Sequence, residues 1–262
     1  GDISLGNVVG SNIFNLGFIL GTVALFHAIP TGRTLLVRDG GLLLVASLLL
    51  VAFVYWDLRL DRWEAIVFFT MLVTWLVVLY RGARKMLRDH GPDAWDQLED
   101  EVPIDTIAVE ASTSLPRDVA LFLFGLVAVV GGSELLVTSA TAIARDMGVS
   151  EWVIGVTIVA AGTSAPEAAV SLASVLRGRF DIGAGNLIGS DIFNILGVLG
   201  VAGAIQPVSV DVASRVSLLA LPLMVLVLLV FIRTGWRVSR LEGLVLLAFA
   251  SFRWWLDLSA AA

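Results

Sequence analysis

Eight apolar stretches alternate along this chain with short polar or charged breaks. A bilayer-spanning helix needs about 20 mainly apolar residues. Cutting the sequence at its charges and its Pro/Gly clusters places the stretches at Leu5 to Phe26, Gly40 to Trp56, Trp63 to Tyr80, Val119 to Ala144, Trp152 to Leu176, Ile182 to Ala202, Val216 to Ile232 and Leu241 to Leu256. Two are punctuated near their middles, by Gly-Gly-Ser-Glu at Gly131 to Glu134 and by Gly-Thr-Ser-Ala-Pro-Glu at Gly162 to Glu167. Composition agrees with the pattern: 58% of residues are hydrophobic and 15% charged, against about 45–50% apolar in soluble domains. The pattern predicts an all-α, polytopic membrane protein.

One phrase occurs twice in this apolar background. With Asp2 laid on Asp181, 11 of 20 positions are identical between the segments starting GDISLGNVVGSNIFN and DIGAGNLIGSDIFN, which marks an internal repeat. The copies lie five helices apart, an odd number, so they cross the membrane in opposite directions. That is an inverted-topology repeat, an architecture of secondary transporters. The second copy has two helices before it and two after, whereas the first has two after and none before. The expected plan is therefore two inverted five-helix repeats, with about eight of ten transmembrane helices in this sequence and two ahead of Gly1. Residues 1–81 form the remainder of the first half, 82–117 an acidic loop, and 118–262 the second half.

Charge sets the orientation. Loops after the first, third, fifth and seventh stretches hold 12 of the 17 Lys and Arg residues, and the richer side is expected to be cytoplasmic. Arg253 is read either as an outer loop residue or as a snorkelling side chain of the last helix. The loop near Gly82 to Arg117 carries Asp89, Asp93, Asp96, Glu99, Asp100, Glu101, Asp105 and Glu110 without the fixed spacing of an EF-hand, and reads as a solvated connector. The net charge of −6 gives no sign of a nucleic-acid partner. Cysteine is absent, and His27 and His90 make no zinc cluster. No Ser/His or paired-Asp constellation points to an enzyme.

The chemistry concentrates at a few polar positions. Glu167 is a carboxylate in mid-membrane, where an unpartnered charge costs at least about 2.5–3.5 kcal/mol, and a bound cation is the natural partner. Pro166 removes a backbone donor beside it, Gly162 permits unwinding, and Thr163 and Ser164 add hydroxyl oxygens. Oxygen donors at a helix break suit hard cations such as Na+ and Ca2+. Ser11 with Asn15, and Ser190 with Asn194, stand at i and i+4 on one helical face in each copy. Asn7 and Asn186 extend that face by one turn. Gly6, Gly10, Gly185 and Gly189 read as helix-packing positions. Asp191 lies one residue off the face, where the first copy has Asn12, and three readings stay open: the edge of the site, a pairing with another helix, or proton exchange. Glu134 is a candidate pathway or supporting residue, with helix packing the other reading.

The motif GTSAPE from Gly162, followed by GNLIGSDIFN from Gly185 and matched by GNVVGSNIFN from Gly6, resembles the α-repeats of the sodium/calcium exchanger family. The resemblance covers nearly the whole chain. It implies ten helices in two inverted repeats, calcium extruded against entering sodium, and ligands at Thr163, Ser164, Glu167, Ser190, Asn194, Ser11 and Asn15, with a backbone carbonyl near Ala160. The ions are cargo, no cofactor is implied, and the expected location is a prokaryotic inner (plasma) membrane. Two departures qualify the resemblance. A first GTS-x-PE copy, with its second glutamate, is absent from this sequence, so the chain reads as an N-terminally incomplete exchanger not expected to transport alone. Asn194 stands where some exchangers carry Asp, which leaves a calcium/proton or potassium-assisted antiporter open. An inactive membrane fragment with only a packing role is the remaining alternative.

Overall fold

The computed structural model describes residues 2–90, 115–149, 151–210, 212 and 214–261. The centre of the acidic loop, residues 91–114, lies outside the described residues. Helices α1 (Asp2–Ile13), α2 (Leu20–Phe26), α3 (Gly41–Val54) and α4 (Arg62–His90) make up the first half. The second half holds α5 (Leu115–Asp146), α6 (Glu151–Ile154), α7 (Ala160–Thr163), α8 (Ala165–Leu176), α9 (Phe180–Phe193), α10 (Gly200–Ile205), α11 (Ser214–Gly235) and α12 (Arg240–Ala261). In hydrocarbon every backbone N–H and C=O must be satisfied internally, so these apolar runs have no alternative to helix.

Among the described residues, six helices are long and apolar enough to cross a membrane: Leu5–Phe26, Leu35–Val54, Arg62–Lys85, Leu123–Asp146, Ile182–Ile205 and Arg215–Gly235. The fifth expected stretch is not one rod. Its halves Thr157–Thr163 and Ala165–Leu176 meet at 50°, and together they make a seventh candidate span. The eighth expected stretch forms the 22-residue helix α12, whose Arg240, Glu242 and Arg253 dilute its apolar character. Arg253 does not snorkel outward: it is 4% exposed and donates from its guanidinium to the Ser217 hydroxyl on α11.

Several spans contain a widened π-helical turn, in which the hydrogen-bond ladder steps to i+5. These turns are Phe14–Ile19 between α1 and α2, Leu35–Gly40 before α3, Gly155–Val159 between α6 and α7, and Asn194–Leu199 between α9 and α10. The first and last fall in matching places in the two repeats.

The halves interlock by exchange. Helix α12 of the second half packs on α2 and Phe14–Ile19 of the first, while α4 of the first half packs on α10 and Asn194–Leu199 of the second. Short strands repeat the exchange: β1 (Ile29–Pro30) pairs with β4 (Arg237–Val238), and β2 (Arg59–Leu60) pairs with β3 (Val208–Ser209), both antiparallel. Glycine permits the close crossings. A Cβ on Gly21 would sit 2.9 Å from the Gly243 carbonyl oxygen, and one on Gly200, at the equivalent repeat position, 2.9 Å from the Phe69 amide nitrogen. The packing role expected of Gly185 and Gly189 is not met among the described residues, since an added Cβ at either finds nothing within 4 Å. The close contacts are made about three to four turns further along these helices, at Gly21, Gly200 and Gly203. One continuous apolar core runs through both halves, with Leu16, Leu50, Phe68, Leu196 and Leu246 fully buried in it.

Candidate cation site

The two copies of the repeated phrase face each other across α1 and α9; Ser11, Asn12, Asn15 and Asp191 at this crossing are buried, while Ser190 and Asn194 are half-buried and the neighbouring Thr163 is exposed. Asn12 and Asp191 are 0% exposed, Asn15 1% and Ser11 4%. A buried polar group without a partner costs roughly 1–3 kcal/mol, so the pairing of each one is informative.

A first group joins α1 to α7. The hydroxyls of Ser11 and Thr163 lie 3.0 Å apart, within hydrogen-bond distance, and both also reach the Ala160 carbonyl, at 3.4 and 3.2 Å, so each hydroxyl's one proton has a choice of acceptors. Asn7 Oδ1, at 3.1 Å, is an alternative acceptor for the Thr163 hydroxyl. Three sequence-predicted positions, Ser11, Ala160 and Thr163, therefore meet. Ser164 follows at the bend with φ −89° and ψ 1°, outside the helical region, and is buried. The bend falls here because Pro166 cannot continue the ladder from α7, whereas in the first turn of α8 its missing N–H is harmless.

A second group joins α8 to α9. Ser190 donates to Glu167 Oε1 at 2.9 Å, leaving Glu167 Oε2 buried with no hydrogen-bond partner among the described residues. Glu167 sits in the first turn of α8, at the positive end of that helix's dipole. Asn186 donates to the Glu167 carbonyl at 3.4 Å and to Ser171 Oγ at 3.2 Å, and Ser171 donates to the Gly183 carbonyl at 3.3 Å. These contacts brace α9 against the segment that carries the glutamate.

The third group is reciprocal between the repeats. Asn15 donates to Asp191 Oδ1 at 2.8 Å, and its repeat counterpart Asn194 donates to Asn12 Oδ1 at 3.0 Å. Asn12 in turn donates to the Asp191 carbonyl at 3.1 Å. Asn15 lies in the widened turn Phe14–Ile19, which packs against α8, and Asn194 opens the matching turn Asn194–Leu199. Asn15 Oδ1 and Asp191 Oδ2, like Glu167 Oε2, are buried acceptors with no partner among the described residues.

Of the three readings open for Asp191, the structure displays the pairing with another helix. Glu134 is exposed on α5, and no described hydrogen bond joins it to these groups. Asn12 and Ser171 were not singled out by the sequence pattern as site residues. Asn12 had a signal: its position is polar in both copies. Among the described residues no three His, Cys, Asp or Glu side chains group as a metal cluster. The oxygens come from hydroxyls, amides, main-chain carbonyls and the carboxyl groups of Glu167 and Asp191, which is the oxygen chemistry of Na+ and Ca2+ rather than of zinc.

A buried oxygen cluster between two inverted, interlocked helical repeats defines a class, the membrane transporters of cations. Comparison with known proteins agrees. The model of the family "Sodium/calcium exchanger protein" matches residues 1–81 and 118–252. The sodium/calcium exchanger MaX1 of Methanosarcina acetivorans is 31% identical over 273 residues, covering 94% of this chain and 77% of that protein. The inner membrane protein YrbG of Escherichia coli is 32% identical over 248 residues, covering 92% and 71%. The sodium-calcium exchanger NCX_Mj, solved after soaking with zero Na+ and Ca2+, superposes with a TM-score of 0.68 at 29% identity, covering 95% of this chain and 75% of that one. This chain belongs to the sodium/calcium exchanger family. It is accordingly an integral membrane antiporter and not an enzyme.

Proposed function

We propose that this protein moves Ca2+ against Na+ by alternating access, through one site that the two ions occupy in turn, in a prokaryotic plasma membrane. Glu167 supplies the charge, and Ser11, Asn15, Ala160, Thr163, Ser164, Ser190 and Asn194 supply neutral oxygens. The observation that carries the reading is the set of buried acceptors without donors among the described residues, Glu167 Oε2, Asn15 Oδ1 and Asp191 Oδ2, within a cluster drawn from both repeats. Lone pairs removed from water and given no donor are stabilised by a cation. Because the neutralising charge is limited, a divalent ion and several monovalent ions compete for it, and competition at a site open to alternate sides is exchange.

Ca2+ uptake into vesicles of the full native protein tests this. Uptake is expected to follow an outward Na+ gradient, to ignore an imposed pH gradient, and to disappear in Glu167→Gln. Uptake driven by the pH gradient alone makes the protein a calcium/proton antiporter, and undiminished uptake in Glu167→Gln removes Glu167 from the site.

A further inference from the structure

Asn15 and Asn194 each offer a cation only one useful atom. A side-chain amide has an oxygen that accepts and an NH2 group that donates, so an asparagine turned the wrong way presents N–H to the ion. The two orientations have nearly the same shape, and neighbouring hydrogen bonds decide between them. Here the neighbours form a chain. Asn15 Nδ2 donates to Asp191 Oδ1 at 2.8 Å, which turns Asn15 Oδ1 away from Asp191, where it is buried without a partner among the described residues. An ionised carboxylate can only accept, so against it a flipped Asn15 would set oxygen against oxygen.

Asn194 hydrogen-bonds to an amide, and an amide on its own fixes nothing. Asn194 Nδ2 donates to Asn12 Oδ1 at 3.0 Å, but Asn12 can in principle present either end. What decides it is the main chain: Asn12 Nδ2 donates to the Asp191 carbonyl at 3.1 Å, and a peptide carbonyl cannot donate. Both amides thus trace back to two acceptors of one residue. Asn12, Asn15 and Asp191 are at most 1% exposed, which keeps competing water out of the arrangement.

We infer that Asp191 is a positioning residue of the cation site. Its carboxyl turns the Asn15 oxygen toward the ion directly, and its main-chain carbonyl does the same for Asn194 by way of Asn12. The inference rests on the exchange reading above and deepens it, since it says what makes two neutral side chains present oxygen. Direct ligation through Asp191 Oδ2 is the competing arrangement, and the two differ in how substitutions combine.

The test is a double-mutant cycle on Ca2+ affinity, read as radioactive Ca2+ binding to the purified full native protein. Asp191→Leu is expected to weaken binding by about 10–100-fold, the scale found for residues that orient metal ligands. In an Asn15→Ala background the same change is expected to cost less than about 2-fold, because it acts through an amide already removed. Multiplying effects of Asp191→Leu and Asn15→Ala overturn the inference in favour of ligation or charge. If Asp191→Leu does not assemble, the cycle of Asn12→Leu with Asn194→Ala reads the other branch, with the same non-additivity expected and additivity contradicting it. A wild-type protein that binds neither Ca2+ nor Na+ defeats the exchange reading itself, and this inference with it.

Discussion

At the scale of single residues, the site is a problem of satisfying oxygens. Glu167 has one oxygen held by Ser190 and the other without a donor, so the serine aims the carboxylate as well as adding a hydroxyl. Ser190→Ala is expected to lower Ca2+ affinity by roughly 10-fold. Ser171→Ala, which removes only a partner of Asn186, is expected to change it less than about 3-fold. Titrating Ca2+ binding to both variants checks this, and equal losses would assign Ser190 a bracing role alone. Much of this cluster was legible beforehand. Glu167 announced itself because a carboxylate in an apolar helix must be accounted for, and the Ser/Asn pairs did so because both copies keep them in register. Asn12 carried a signal, being polar in both copies, but its partners were not legible, because they lie on the opposite repeat and no spacing along one helix reveals them. Glu134 had the same sequence signal as Glu167, a charge beside small residues, yet it lies exposed; helix periodicity alone did not say which face of α5 it would occupy.

At the scale of elements, the bend between α7 and α8 could be read from Pro166, because a residue without an N–H breaks the ladder inside a helix and costs nothing at its start; Pro166 takes the first turn of α8, whereas Pro222 lies inside α11. The widened turns at Phe14–Ile19 and Asn194–Leu199 left no sequence signature, since no residue type demands them. Glycine was half legible. The sequence marked glycines as packing positions, but the backbone crossings fall at Gly21, Gly200 and Gly203, where α2 meets α12 and α10 meets α4. Gly200→Val is expected to destabilise the protein by about 1–3 kcal/mol through overpacking against Phe69, lowering its melting temperature in detergent. Gly41→Ala should not, because its Cβ meets only the Leu36 carbonyl oxygen at 3.9 Å; there the gain in helix propensity is about 0.8–1 kcal/mol. Similar melting temperatures for Gly200→Val and wild type would mean that α10 and α4 do not cross this closely.

At the scale of the whole molecule, the halves are held by exchanged helices, exchanged strands and the reciprocal amide pairs, none of which needs the connector. The chain divided within residues 91–114 and expressed as two polypeptides is therefore expected to co-purify as one complex, and separate halves would show that the connector holds them. The inverted relation of the halves could be inferred by counting helices between the two copies. Their interlocking could not, because it depends on contacts between residues more than a hundred positions apart. The same geometry sets the central claim, that one site built by both repeats serves both ions. Equilibrium binding of radioactive Ca2+ under increasing Na+ tests it most directly. Na+ is expected to raise the apparent Kd for Ca2+ without lowering the number of sites, and Glu167→Gln to weaken Ca2+ binding on the order of 100-fold. Loss of sites at constant Kd, or unchanged binding in Glu167→Gln, would contradict the account.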